Sequence, residues 1–280
     1  MTRLKKRIII ISISAFLAIL ALVYPFFWVG ERVALGFERW VPQYEMVDIS
    51  ALLEKGELSS DDYRVLYEQT GLSKLAIDDM LILEDGKEQI LNMQKCFFKD
   101  YEITDDNFAI FSHFYEVKGI YPLAPLKDGD IIISGSTEFS WWNMGHCAMV
   151  SSAEDSEIIE INGFGDYSAE TYIFSIMKRG NFIVLRPKLD TETVAQIVEY
   201  TKSELLDLPY DATIGVLSRK YNEEISATQC AHIFWYAYYQ FGYDIDSNGG
   251  TVVTPQNISN SQYFDIVQVQ GFDPYALWKD

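Results

Sequence analysis

Ser226 to Asp246 reads SATQCAHIFWYAYYQFGYDID. From Cys230 to Phe241 almost every residue is apolar or aromatic, so as a helix this stretch has to be buried all round. Ser226 or Thr228 is placed to cap its start and Gly242 to end it. Cys230 then falls in the first turn, where unpaired backbone N–H groups and the helix dipole favour a negative charge. The thiolate stabilised there is the reactive form of cysteine. Two readings fit the residue: an inert core thiol, the common fate of a free cysteine, or an activated nucleophile. The helix alone does not separate them.

The 280 residues suffice for one sizeable domain with an appendage, or for two small domains. A net charge of −19 excludes a nucleic-acid partner, because no basic stripe exists to neutralise phosphates. Four of the 22 basic residues lie in the first seven positions, so the remainder carries 18 bases against 41 acids, about −23. Such a body is repelled by an anionic lipid surface. Cys96, Cys147 and Cys230 share no spacing, and their odd number leaves at least one thiol free. With no C-x-x-C pair and no H-E-x-x-H, neither zinc nor any other cofactor is expected. Only His113, His146 and His232 can supply a histidine base.

At the N-terminus, Arg3, Lys5, Lys6 and Arg7 precede an apolar run from Ile8 to Val29, with Tyr24, Phe26, Phe27 and Trp28 at its far end. Basic flank, apolar length and aromatic belt predict a membrane-spanning signal anchor over residues 1–30. The basic end stays cytoplasmic, which makes a single-pass protein of the cell membrane with its catalytic body outside. A cleaved signal peptide is the rival reading, but no A-x-A-like site follows the run.

Residues 31–120 read as a helical spacer between membrane and body, or as a cap over its cleft. One helix runs from behind Ser59 and Ser60 to Gly71, another from Leu75 to Phe98 with a break near Asp85-Gly86; Cys96 and His113 are expected to be packing. After Tyr121-Pro122 the pattern changes to short strands at 130–135, 145–151, 157–162, 170–175 and 181–187, then a helix over 190–206 and a last strand over 263–271. Residues 121–280 therefore predict an α+β domain, an antiparallel sheet packed on the central helix.

His146 opens the strand HCAMVS, and EIIEIN follows after a short polar turn. A hairpin centred on Ala153 sets Ala148 opposite Ile158 and His146 opposite Glu160. A carboxylate there orients the imidazole and stabilises its charged form. Asn162, two residues on and on the same face, is the fallback. Cys147 points to the other face.

From Leu126 to about Gln270 the chain resembles permuted papain-like cysteine hydrolases of the NlpC type, the YiiX-like group. LKDGDIII, GHCAMV, EIIEIN, FIVLRPK, DLPYD, TQCAHIFWYAYYQFG and TPQNISNSQYFDIV carry the resemblance. It implies the permuted papain-like fold, with His146 as base, Glu160 as orienter and Cys230 as nucleophile in that chain order. It also places Tyr210, in the Pro-Tyr-Asp element, near the site. Trp141 and Trp142, just before His146, are expected as cleft walls. The group often reads Cys-Ser-Glu at the nucleophile, where this chain has Cys230-Ala231-His232, so substrate contacts there differ. His232, two positions on from Cys230, points away from it and is read as packing or cleft wall.

The function expected is an extracytoplasmic amidase or peptidase acting through a thioester, on cell-wall peptides or related amide bonds. Lipid acyl hydrolysis or transfer, as in the related lecithin retinol acyltransferase group, is the alternative, and a catalytically silent binding module the third. An apolar tunnel beside Cys230 favours lipid; an open groove with polar ends favours peptide.

Overall fold

The computed structural model describes residues 3–34, 39–109, 112–139 and 142–277. Helix α1 (Arg3–Ala34) contains a stretch, Lys5–Phe26, of mean hydropathy 2.6 with none of it buried in the protein. It is long and apolar enough to cross a membrane or to serve as a signal sequence.

The body is mixed α+β. Its main sheet runs β10 (Phe264–Gln270), β9 (Phe182–Pro187), β3 (Ile131–Ser134), β6 (His146–Ser152), β7 (Glu157–Glu160), β8 (Ala169–Tyr172), every neighbouring pair antiparallel. The inner strands are apolar at consecutive positions, IIIS in β3 and FIVL in β9, so both faces need cover. On one face Ile131, Ile133, Cys147, Met149, Ile183 and Leu185 pack under α7 (Thr191–Glu204) and α8 (His232–Gln240). Residues 231–238 are buried without interruption, as the unbroken apolar sequence requires.

On the other face Ile132, Ala148, Val150, Ile158, Phe182 and Val184 meet a layer of helices: α2 (Ser50–Leu53), α3 (Ser60–Thr70), α4 (Lys74–Leu81) and α5 (Gly86–Phe98). The segment expected as a spacer or cap is therefore a structural layer, and the boundary expected at residue 120 does not divide this core. The physical reason lies in the strands, whose second apolar face also has to be buried. Ser59 opens α3 through a capping box with Asp62, and Gly71 ends it at φ 69°. A Cβ at Gly71 would stand 2.1 Å from the Val269 carbonyl oxygen, so glycine is what lets α3 dock on β10.

The same segment is not wholly helical. β1 (Ile103–Ala109) and β2 (Ser112–Val117) form a hairpin that joins β4 (Thr137–Phe139) and β5 (Trp142–Asn143) in a four-stranded sheet, order β1-β2-β4-β5. It flanks the end of the main sheet at which β3 finishes and β6 begins. Two short helices, α6 (Phe174–Met177) and α9 (Pro255–Ser259), complete the body.

Candidate active site

His146 is the first residue of β6, paired with Ser134 at the end of β3. The β6–β7 register sets Ala148 opposite Glu160 and Val150 opposite Ile158, with a bulge between Val150 and Ser152. The expected register placed His146 itself opposite Glu160. The bulge and the turn shift the pairing by two positions, an even number, so Glu160 keeps the face of His146 and becomes its diagonal neighbour. The long side chain closes the gap: His146 Nε2 lies 2.8 Å from Glu160 Oε2. The other carboxylate oxygen accepts from Thr171 Oγ1 of β8 at 2.9 Å.

Cys230 stands in the turn that leads into α8, just before the N-terminal cap Ala231. The regular helix starts two residues later than Cys230, a correction to its placement inside the first turn. Neither expected cap closes the helix. Gln229 Oε1 accepts from the Ala231 N–H at 2.9 Å, while Thr228 Oγ1 pairs with His232 Nδ1 at 3.0 Å. The Ile233 N–H still donates to the Gln229 carbonyl at 3.1 Å, so the thiol remains at the positive end of the helix. It stands against the His146 ring, 8% exposed.

The His146 ring is buried, which works against its charge. Cys230 and Glu160 on either side of it oppose that effect and push its pKa up to about 9. Burial likewise opposes ionisation of Glu160, but the His146 hydrogen bond and charge, with Arg179 and Thr171, bring it down to about 2. The pair is thus a buried imidazolium and carboxylate near neutral pH. With Nε2 given to Glu160, Nδ1 is the nitrogen left for proton exchange with the thiol.

Cys230 and His146 line one cavity of about 340 Å³ with Tyr210. Its walls are mostly apolar, from Met144, Phe164, Ile214, Val216 and Val252 among others. Tyr210 packs edge-on against Phe164, ring centroids 5.4 Å apart, and burial raises its phenol pKa with the Cys230 charge adding to the effect. Cys230, His146, Glu160 and Tyr210 therefore converge. Trp141 lies outside the described residues, and of Trp142 only the backbone, in β5, is described. Asn162 does not orient His146; it lines the cavity with a buried Oδ1 that has no hydrogen-bond partner among the described residues.

The remaining histidines and cysteines do not line this cavity. His232 donates from Nε2 to the Lys220 carbonyl at 2.7 Å, and burial lowers its pKa to about 4, so it packs as a neutral ring. His113 pairs with Asp105 at 2.7 Å. Cys147 packs in the same core as Cys230 and α8, on the strand face away from Ala148, and Cys96 accepts a long hydrogen bond from the Tyr101 hydroxyl. All three cysteines are free.

Two residues escaped the sequence reading. Gln229 spans the site: Nε2 donates to the Val253 carbonyl at 2.8 Å, and Oε1 accepts from the Cys230 thiol at 3.5 Å as well as from Ala231. Its position directly before the cysteine was the available signal. Thr171 fixes Glu160 from a strand the sequence shows only as short and polar. The chain matches no family model, no curated protein and no solved structure.

Proposed function

We propose that the chain is a membrane-anchored cysteine hydrolase built on a permuted papain-like body of the NlpC type, in the YiiX-like group. The observation that carries this reading is the buried array of Cys230, His146 and Glu160 opening on a cavity at a helix start. Its chain order, histidine, carboxylate, cysteine, agrees with the resemblance. With the proton held on the His146 imidazolium, Cys230 acts as its thiolate partner and attacks an acyl carbon; the Cys230 backbone N–H is the candidate donor to the oxyanion that forms. Collapse expels the amine or alcohol, which takes its proton from His146. Water activated by the same ring then splits the thioester, returning the thiol and releasing the acid.

The leading substrates are amide bonds of wall peptides outside the cell membrane, with α1 as the anchor. The apolar cavity walls favour a second reading, an amide or ester that carries an acyl chain, since such walls hold methylene groups and offer a peptide backbone few partners. Both use the same covalent step. Cys230→Ala is expected to abolish turnover of wall-peptide and acyl amides while leaving the circular dichroism spectrum and melting temperature near those of the native chain. Turnover that survives the substitution would overturn the proposal.

A further inference from the structure

The way α1 joins the body limits how far the catalytic end of the sheet can stand from the bilayer. The Trp40 N–H donates to the carbonyl of Gly271, the residue after β10, at 3.1 Å, and the Arg39 side chain is tied to Lys99 and Asp100. Gln270 pairs with Phe182, Ile183 with Ile133, and Ser134 with His146, so these residues share one end of the sheet. The attachment point is therefore at the catalytic end, three strands, or about 14 Å, from His146.

The link is short. Phe26 ends the apolar span, and α1 continues to Ala34, about 12 Å along a helix. Ala34 to Trp40 covers at most about 22 Å. The full reach is thus about 34 Å, against a body that, for residues 39–277, is roughly 45 Å across. With the catalytic end turned away from the membrane, the attachment point would stand further from the bilayer than the link extends. The same end is rimmed by exposed apolar side chains. Val216, Phe164 and Met144 line the cavity yet are exposed, and Leu217 follows Val216 in a tight turn over Thr213–Ser218. Water-facing apolar groups in such a cluster mark a surface that something covers.

We propose that this rim is a second membrane contact, by which the body docks its cavity mouth onto the bilayer that α1 spans. The lipid it fits is zwitterionic, because a body with an excess of acids is repelled by an anionic surface. The contact rests on α1 being the anchor. It does not depend on the chemistry of Cys230.

The test places the photo-crosslinker p-benzoylphenylalanine at Leu217, at Phe164 or at Ile82, one position at a time, in the full chain reconstituted into phosphatidylcholine nanodiscs. Leu217 and Ile82 are both 83% exposed. Ile82 follows α4, whose Asp79 binds Arg186 at the opposite end of the sheet, so it is a control matched in exposure. Lipid adducts counted by mass spectrometry are expected to be at least fivefold more abundant at Leu217 and Phe164 than at Ile82. Equal yields at all three positions, or none at the rim in discs that contain the chain, would overturn the proposal. Incorporation into the discs reports the anchor separately, and no turnover is needed, so the outcome is independent of the hydrolase reading.

Discussion

The residue on which the site turns is Glu160, because together with Cys230 it keeps the buried His146 charged. The histidine pKa stands at about 9 against an ordinary 6.5, so its contribution to stability is complete below pH 6.5 and lost as the pH rises through 9. The carboxylate stands at about 2 against an ordinary 4.5, so its contribution is complete above pH 4.5 and lost as the pH falls through 2. The native chain is therefore expected to lose melting temperature between pH 6.5 and 9. Glu160→Gln keeps a hydrogen-bonding side chain but removes the charge, leaving Cys230 alone to oppose the effect of burial on His146. The variant should show a smaller alkaline decline, and the His146 imidazole resonance should titrate below 9. A decline of the same size in both proteins would show that the ion pair does not govern the ring. The pairing of these two residues was legible because strand alternation preserves a face across any even shift of register. The bulge that makes the shift was not, since nothing in Ser151-Ser152-Ala153 distinguishes it from a regular turn. Thr171 was hidden for a related reason: a hydroxyl on an edge strand acquires its role only from the carboxylate that lies beside it.

Among elements, the helical layer α2–α5 holds to the sheet by more than apolar contact. Arg186 of β9 donates to both carboxylate oxygens of Asp130, at 3.0 and 2.8 Å, to Asp79 of α4 at 2.8 Å and to the Pro125 carbonyl at 2.9 Å. Asp130 is fully buried, so removing its partner leaves an uncompensated charge in the interior. Arg186→Ala is expected to cost about 3–5 kcal/mol in unfolding by urea. A loss within about 0.5 kcal/mol would mean that the layer is held by its apolar face alone. Most elements were readable from periodicity and punctuation: Ser59 and Gly71 bound α3, Asp190 caps α7, and the break at Asp85-Gly86 separates α4 from α5. The β1–β2 hairpin was not, because Thr104 to Asn107 is a polar run without the apolar alternation of a half-buried strand. Where the helices go was equally hidden. Their apolar faces announce burial but do not name a partner, and the signal that did so was the two-sided apolarity of β3, β6 and β9.

At the scale of the whole molecule, the chain carries three free thiols that differ in exposure, and their relative reactivity separates chemistry from exposure. Cys96 is half-buried, Cys230 is 8% exposed and Cys147 is fully buried, so accessibility alone orders reaction with Cys96 first. An activated nucleophile reverses that order. The sequence supported both an inert and a reactive Cys230, since a helix start says nothing of what faces it across the fold. The structure supplies the facing groups. The most direct measurement is alkylation of the full chain by dilute iodoacetamide from pH 5 to 9, with the modified cysteine located by mass spectrometry and His146→Ala run in parallel. Cys230 is expected to react first, below pH 7 and at least tenfold faster than Cys96, and to lose that advantage in the His146→Ala protein. Modification of Cys96 ahead of Cys230 at every pH, or a Cys230 rate indifferent to His146, would contradict the account.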